Sequence, residues 1–180
     1  FVARDNNDAK ATLTDTQRAL ALLRDSGRAT PIAEAGLLGE LAYSHYLFGN
    51  AAEADRTYAL AVDRFRAAGR GDGPLVVTLL NNWGIASFAA GDVRRAFASY
   101  DDALSIATRL TAEGELPAYL LANRGLANLT LARYDAAIAD FRRAHAQAVA
   151  AGNGASIGSS LAGMAASHRE KGDPVRAAAL

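Results

Sequence analysis

Small side chains recur along this chain at a spacing of about 41 residues. A first set, separated by 42, 41 and 40 residues, consists of Ala42, Gly84, Gly125 and Ala165. A second set with nearly the same spacing consists of Ala54, Ala96, Ala137 and Ala177. A period in this range indicates a repeat protein, in which each repeat buries its apolar face only against its neighbours.

Prolines and aromatic residues support the same period. Pro31, Pro74 and Pro117 are each 43 residues apart. Proline suits the first position of a helix because the N–H that it lacks has no partner there in any case. A second series, Tyr58, Tyr100 and Phe141, places one aromatic residue in every repeat. We therefore expect each repeat to contain two helices, the first of which opens at its proline.

The stretch from Asn81 to Leu104 has the pattern of a helix, a tight turn and a second helix. The small residues Gly84 and Ala96 allow two antiparallel helices to approach closely. Gly91 can adopt the left-handed conformation at a helix end, and Asp92 can cap the helix that follows. Positions i, i+3 and i+4 of the second helix form one apolar stripe, made of Tyr100, Ala103 and Leu104.

This stretch resembles a tetratricopeptide repeat (TPR). The residues that carry the resemblance are Trp83-Gly84, Gly91-Asp92, Ala96, Tyr100 and Ala103-Leu104. The basic TPR has 34 residues, and the longer period here is similar to that of kinesin light chain type and bacterial regulatory TPR domains. The resemblance implies an all-α, right-handed α-solenoid of stacked antiparallel helix pairs.

The repeat pattern predicts one TPR-like domain over residues 1–180. Residues 1–30 are expected to supply the second helix of a preceding repeat, with residues 1–8 outside the helix. Full repeats are predicted at 31–73, 74–116 and 117–154, and a truncated one at 155–180. Asn50 and Glu53 have the spacing of a capping box. The third repeat departs from the pattern at Ala132-Arg133, where the second has Gly-Asp, and at Arg124, which replaces the tryptophan.

Composition excludes several classes of protein. The 19 basic and 19 acidic residues give zero formal net charge, without the basic surplus typical of a nucleic-acid binder. The absence of cysteine excludes disulfides and cysteine-ligated metals. No apolar run approaches the roughly 20 residues of a membrane-spanning helix, and residues 1–15 lack a hydrophobic signal core. We expect a cytoplasmic protein that binds neither nucleic acid nor membranes.

The sequence contains no constellation typical of an enzyme. His45 and His168 are three repeats apart, and no metal-binding or nucleotide-binding motif occurs. The glycines between 152 and 158 follow a predicted helix, so they lack the strand context of a dinucleotide site. Arg70-Gly71-Asp72 matches a cell-attachment tripeptide but is better interpreted as a turn. We expect no catalysis, no cofactor and no metal.

The first helix of each repeat should expose one face to a shared groove. The predicted lining is apolar and aromatic with a few amides, a composition suited to a peptide. Its members are Glu40, Tyr43, Tyr46, Leu47, Asn81, Asn82, Ile85, Phe88, Tyr119, Asn123, Leu126, Leu129, Ser159, Ala162, Ala166 and Arg169. Eight of these form the candidate peptide-binding site: Tyr43, Tyr46, Asn81, Asn82, Phe88, Tyr119, Asn123 and Leu126.

The resemblance to long-repeat TPR domains implies a role for two of these residues. Asn82 and Asn123 occupy equivalent positions, where such domains use an asparagine to hydrogen-bond the backbone of an extended peptide. An amide offers both a donor and an acceptor, as a peptide bond does. The alternative is that each asparagine bonds within the stack. Tyr43, Tyr46 and Phe88 are equally consistent with anchoring a ligand or with packing between repeats.

These observations favour a non-enzymatic scaffold that binds a protein or an extended peptide and forms a regulatory part of a larger protein, most plausibly a bacterial one. One alternative is a structural module that forms homodimers or larger oligomers through its exposed repeat ends. Another is an accessory domain of a signalling kinase or a transcription activator.

Overall fold

The computed structural model describes residues 2–111 and 115–179, with side chains from residue 10 onward. Over these residues the chain forms nine helices and no strands, which confirms the predicted all-α fold. The helices are α1 (Val2–Asp25), α2 (Pro31–Leu47), α3 (Ala51–Ala67), α4 (Pro74–Ala89), α5 (Val93–Leu110), α6 (Ala118–Thr130), α7 (Tyr134–Ala150), α8 (Gly154–Glu170) and α9 (Pro174–Ala178). Residues 112–114, near the end of the predicted repeat 74–116, lie outside the described residues.

The chain divides into two compact units, Phe1–Ala90 (unit 1) and Gly91–Leu180 (unit 2). In unit 1, α2 packs mainly on α3, while α1 packs on α2 and α4 contacts both α3 and α2. In unit 2, α7 packs on both α6 and α8, while α5 contacts α6 and α9 contacts α8. Within each unit, successive helices therefore pack as neighbours, as the repeat predicts. The predicted repeat boundaries remain predictions.

Helix starts follow the sequence signals at Pro31 and Pro74 but differ from them at two other places. Pro31, Pro74 and Pro174 occupy the beginning of their helices, whereas Pro117 lies just before α6. The first helix begins at Val2, so the prediction that residues 1–8 lie outside it is wrong.

Asn50 does not cap α3 with its side chain. Its amide nitrogen lies 3.5 Å from His45 Nδ1 instead, and the Glu53 carboxylate accepts a hydrogen bond from Arg56. The predicted capping box is therefore wrong, because both side chains have other partners nearby. By contrast, Asp92 does cap α5, where its Oδ1 accepts a hydrogen bond from the Arg95 N–H at 3.0 Å.

Among the described residues, six glycines at helix ends have a positive φ, including Gly91 at 84°, as predicted. The turn between α6 and α7 has the same geometry without a glycine, because Ala132 adopts a φ of 56°. The Arg133 N–H donates to the Asn128 carbonyl at 2.9 Å, as the Asn50 N–H does to the His45 carbonyl at 2.8 Å. The sequence departure at Ala132-Arg133 thus leaves the turn intact, at the cost of a strained alanine.

Replacing Ala132 with glycine is expected to raise the free energy of unfolding by about 1 kcal/mol, because only glycine adopts the left-handed region without a steric penalty. Urea denaturation monitored by circular dichroism measures this change. Ala151→Gly is the matched control, since Ala151 ends α7 with a right-handed φ of −86°. There glycine only adds freedom to the unfolded chain, so the control should lose stability. Equal effects of the two substitutions would contradict a strained Ala132.

In unit 1, an aromatic pair joins α3 to α4. The rings of Tyr58 and Trp83 stack with their centroids 6.4 Å apart, and both side chains are buried. The indole N–H of Trp83 also donates to Asp55 Oδ1 at 2.8 Å. A buried indole needs such an acceptor, so this bond fixes the rotation of α4 against α3.

In unit 2, the Phe141 ring of α7 packs close to a glycine on each of two neighbouring helices. A Cβ atom on Gly125 of α6 would lie 3.2 Å from the ring, and one on Gly163 of α8 only 2.4–2.6 Å from it. Ala137 and Met164 complete this buried cluster. Glycine is therefore required where α8 meets Phe141, because any side chain would occupy the space of the ring.

Candidate functional site

Three cavities lie along the seam between α2 and α4 in unit 1, and we call this seam the α2–α4 groove. The cavity at the start of the two helices has a volume of about 240 Å³ and is lined by Ile32, Phe65, Arg70, Gly73, Pro74 and Leu75. The middle cavity, of about 130 Å³, is lined by Ala35, Gly36, Gly39, Glu40, Phe65, Leu75, Thr78, Leu79 and Asn82. The last, of about 170 Å³, is lined by Tyr46, Gly49, Ala51, Ala86, Ala89 and Ala90.

Glycines on α2 create the space for the middle cavity. A Cβ atom at Gly39 would come within 2.9 Å of Leu79 Cδ1, whereas one at Gly36 would project into open space. Phe65 and Leu75 line both this cavity and the first one, so the two cavities are adjacent. Leu75 is 65% exposed, which is unusual for a leucine in a helix that otherwise buries most of its apolar residues.

Asn82 lies in this groove, on the wall that α4 provides. Its side chain is partly exposed, and its Oδ1 accepts a hydrogen bond from the Asn81 side-chain nitrogen at 3.3 Å. Asn81 itself is only 7% exposed. Asn82 is therefore the more accessible of the two asparagines.

The predicted aromatic residues occupy different places in unit 1. Tyr46 is half-buried and lines the last cavity of the groove. Tyr43 is 40% exposed, and its ring centroid lies 5.9 Å from that of Tyr46. Phe88 is partly buried on α4 and is not among the residues that line the three cavities. The structure thus brings Tyr43, Tyr46 and Asn82 to helices that border one groove.

A buried phenol lies behind this tyrosine pair. Tyr58 of α3 has a hydroxyl group without a hydrogen-bond partner. Burial raises its pKa well above the usual range, and the nearby Tyr43, Glu40 and Tyr46 of α2 add to the increase. The hydroxyl therefore stays neutral and serves as packing beneath α2.

In unit 2, α6 exposes a stripe made of Tyr119, Asn123 and Leu126. Their spacing places them on one side of the helix, and Tyr119 and Leu126 are 49% and 43% exposed. Asn123 is half-buried and already has an interaction within the chain. The predicted residues of this repeat therefore do share one surface, which we call the α6 stripe.

Arg124, next to Asn123, is the centre of an ion network in unit 2. It donates two hydrogen bonds to the buried Asp140, at 2.9 and 2.6 Å, and one to the exposed Asp101 at 2.6 Å. Asn128 also donates to Asp140, at 3.0 Å. Burial alone would lower the pKa of Arg124, but the hydrogen bonds and charges of the two aspartates outweigh it and raise the pKa.

Arg124 and Trp83, at equivalent positions of their repeats, both link their own helix to the preceding one through a hydrogen bond. Each donates to a carboxylate on the helix that precedes its own, Asp101 on α5 for Arg124 and Asp55 on α3 for Trp83. Sequence comparison of the repeats flags Arg124 as an anomaly. The structure shows that it replaces an aromatic contact with a charged one.

The described side chains show no group of three or more residues able to hold a metal ion. Burial lowers the pKa of His45, although the charge of Glu53 partly opposes this. His168 is buried on α8, with Asp173 Oδ2 3.9 Å from its Nδ1. Across residues 2–111 and 115–179, no helix is both long enough and apolar enough to cross a membrane.

Helix pairing, turn glycines and the repeat define a TPR-like fold, and solved structures agree. No family model matches the sequence, and no curated protein does. BtubC (BKLC) from P. vanneervenii is 23% identical, with a TM-score of 0.85 over 96% of this chain and 70% of its own. A kinesin light chain-like protein with nearly identical TPR-like repeats from Podosopora anserina is 16% identical, with a TM-score of 0.72 over 99% of this chain and 90% of its own. MamA, also 16% identical, has a TM-score of 0.66 over 99% of this chain and 85% of its own. These similarities confirm the predicted α-solenoid fold.

Sequence reasoning missed several residues of the α2–α4 groove. Gly36 and Gly39, three residues apart on α2, give it space, and Ile32 and Leu75 give it an apolar end. The available signal was the pair of glycines inside a helix, where glycine costs about 1 kcal/mol relative to alanine. Arg70 was assigned only to a turn, and it lines the first cavity as well.

Proposed function

We propose that this chain is a non-enzymatic scaffold that binds an extended segment of a partner protein in the α2–α4 groove. The observation that supports this most directly is the series of three cavities between α2 and α4, with Asn82 on the wall of the middle one. The groove combines apolar surface with a side-chain amide. This combination suits a peptide, whose side chains need apolar contacts and whose backbone needs hydrogen bonds.

Asn82 is the polar group best placed to select an extended backbone. Its amide can donate to a peptide carbonyl and accept from a peptide N–H at the same time. The bond from Asn81 holds the Asn82 side chain in one orientation, which reduces the entropy lost when a ligand binds. Tyr46 and the exposed Tyr43 provide aromatic surface at the far end of α2 for a side chain of the partner.

The α6 stripe of unit 2 is proposed as a second contact surface. It repeats the combination of an aromatic residue, an amide and an aliphatic residue that borders the groove in unit 1. Asn123 would have to exchange its present interaction for one with the ligand, so we expect it to contribute less than Asn82. The proposal also keeps the prediction that residues 31–73, 74–116 and 117–154 are the full repeats of the scaffold.

Replacing Asn82 with alanine is expected to weaken binding of a selected peptide by about 1–3 kcal/mol, roughly 5- to 150-fold in Kd. The substitution removes a donor and an acceptor, while the fold should survive because the side chain is partly exposed. A random decapeptide library is selected on the wild-type chain, and the best peptide is titrated by calorimetry against the wild type and the variant.

Asn50→Ala is the matched control for this measurement. Asn50 lies at the turn before α3, is partly exposed and does not line the α2–α4 groove. The control should bind the peptide like the wild type. If Asn82→Ala binds equally well, Asn82 does not contact the ligand. If it loses helical circular dichroism, its role is structural. Light scattering on the same samples would reveal self-association, the outcome expected of an oligomerisation module.

A further inference from the structure

We propose that the partner segment carries an acidic residue and a basic residue on either side of an apolar one. This inference rests on the proposed function, because it concerns the ligand of the same α2–α4 groove. It comes from two residues of opposite charge that line adjacent cavities of the groove, Glu40 and Arg70. Neither forms an ion pair with any other described residue.

Glu40 is the acidic member. It is exposed on α2 and lines the middle cavity together with Gly36, Gly39 and Asn82. The other acidic residue of α2, Glu34, is bound by Arg24 at 2.5 Å and approached by Arg64 at 3.8 Å. Arginines of the chain therefore pair with Glu34, which lies outside the groove. Glu40, which lines the groove, remains available to a basic group of the ligand.

Arg70 is the basic member. It follows α3 and lines the first cavity with Ile32, Phe65 and Leu75. The neighbouring Arg64 and Arg66 are paired with Glu34 and Asp63, both at 3.8 Å. Arg70 is therefore the arginine of this segment that remains available to a carboxylate.

The rise of α2 gives an approximate spacing for the two charges on the ligand. Ile32 lines the cavity with Arg70, and Glu40 lies eight residues further along α2, which is about 12 Å at 1.5 Å per residue. An extended peptide advances about 3.3 Å per residue, so the two ligand charges should be three to four residues apart. Phe65 and Leu75 line both cavities and would contact the apolar residue in between.

The test exchanges the two charges of the groove. The random decapeptide library, acetylated and amidated to remove terminal charges, is selected on the wild type and on the double variant Glu40→Arg with Arg70→Glu. The wild type should enrich peptides with an acidic, an apolar and a basic residue in one order along the chain, and the variant should enrich the reverse order. The best wild-type peptide should bind the variant at least tenfold more weakly, and its affinity for the wild type should fall as salt is raised.

A matched control exchanges two charges elsewhere in unit 1. Asp15→Arg with Arg18→Asp alters exposed residues of α1 and keeps the net charge. This variant should select the wild-type order.

Enriched peptides that lack the charge pattern, or that show the same order on the exchanged groove, would overturn the inference. If those peptides still lose affinity for Asn82→Ala, the proposed function stands without it. If they lose affinity neither for Asn82→Ala nor for the exchanged groove, the peptides do not bind in the α2–α4 groove, and both the inference and the proposed function are wrong.

Discussion

Replacing Gly163 with alanine should lower the free energy of unfolding by about 1–3 kcal/mol. The added Cβ would lie 2.4–2.6 Å from three carbon atoms of the Phe141 ring, well inside contact distance. The ring has little room to move, because it also packs close to Gly125 of α6, where an added Cβ would lie 3.2 Å from the same three atoms. The expected cost therefore reflects displacement of α8 from α7, and urea denaturation of the whole chain measures it.

A second glycine of α8 provides a control substitution that should raise the free energy of unfolding. Gly158 of α8 has no atom within 4 Å of an added Cβ. Gly158→Ala should therefore stabilise the chain by roughly 0.5–1 kcal/mol, because alanine is the better helix former and restricts the unfolded chain. If Gly163→Ala were also neutral or stabilising, the close approach of α8 to Phe141 would be absent in solution.

The repeat could be predicted from sequence, but the contact at Gly163 could not. The period and the small residues correctly predicted which helices pack as neighbours. They assigned the close contact of α8 to Ala165, at the position equivalent to Gly125. The structure puts the tightest contact at Gly163 instead. Periodicity identifies the buried side of a helix, whereas its exact rotation depends on packing against a particular ring.

The prediction of the candidate site was incomplete for a similar reason. Residues on one helix, such as Tyr119 and Leu126, could be assigned to an exposed stripe from their spacing alone. The α2–α4 groove needs residues from α2, α4 and the segment after α3. Arg70 joins Ile32 and Leu75 only because the chain turns back at Gly73. No local pattern predicts such a meeting of separate segments, and none indicates that Glu40 forms no ion pair with another described residue.

Arg124 shows a different limit of prediction from the repeat pattern. The repeat pattern marks it as an exception to the tryptophan position, yet it says nothing about what compensates for the charge. The compensating carboxylates, Asp140 on α7 and Asp101 on α5, are 16 and 23 residues away in sequence. Asp140 is almost completely buried, which sequence reasoning would not assign to an aspartate in an amphipathic helix.

Replacing Arg124 with methionine should lower the free energy of unfolding by about 3–5 kcal/mol, the usual cost of leaving a buried charge without its partner. Asp140, 3% exposed, would lose two hydrogen bonds and keep only the one from Asn128. Methionine retains most of the side-chain volume, so the loss reports the charge and not a cavity. Urea denaturation monitored by circular dichroism provides the measurement.

Two further variants separate burial from charge pairing. Asp101→Ala removes the other carboxylate bound to Arg124, but the Asp101 side chain is 54% exposed, so the cost should be at most about 1 kcal/mol. Adding Asp140→Asn to Arg124→Met removes the stranded charge and keeps an acceptor for Asn128, so at least half of the lost stability should return. If the double variant were as unstable as Arg124→Met alone, an unpaired carboxylate would not be the cause. A loss at Asp101 as large as that at Arg124 would instead place the energetically important contact at the surface.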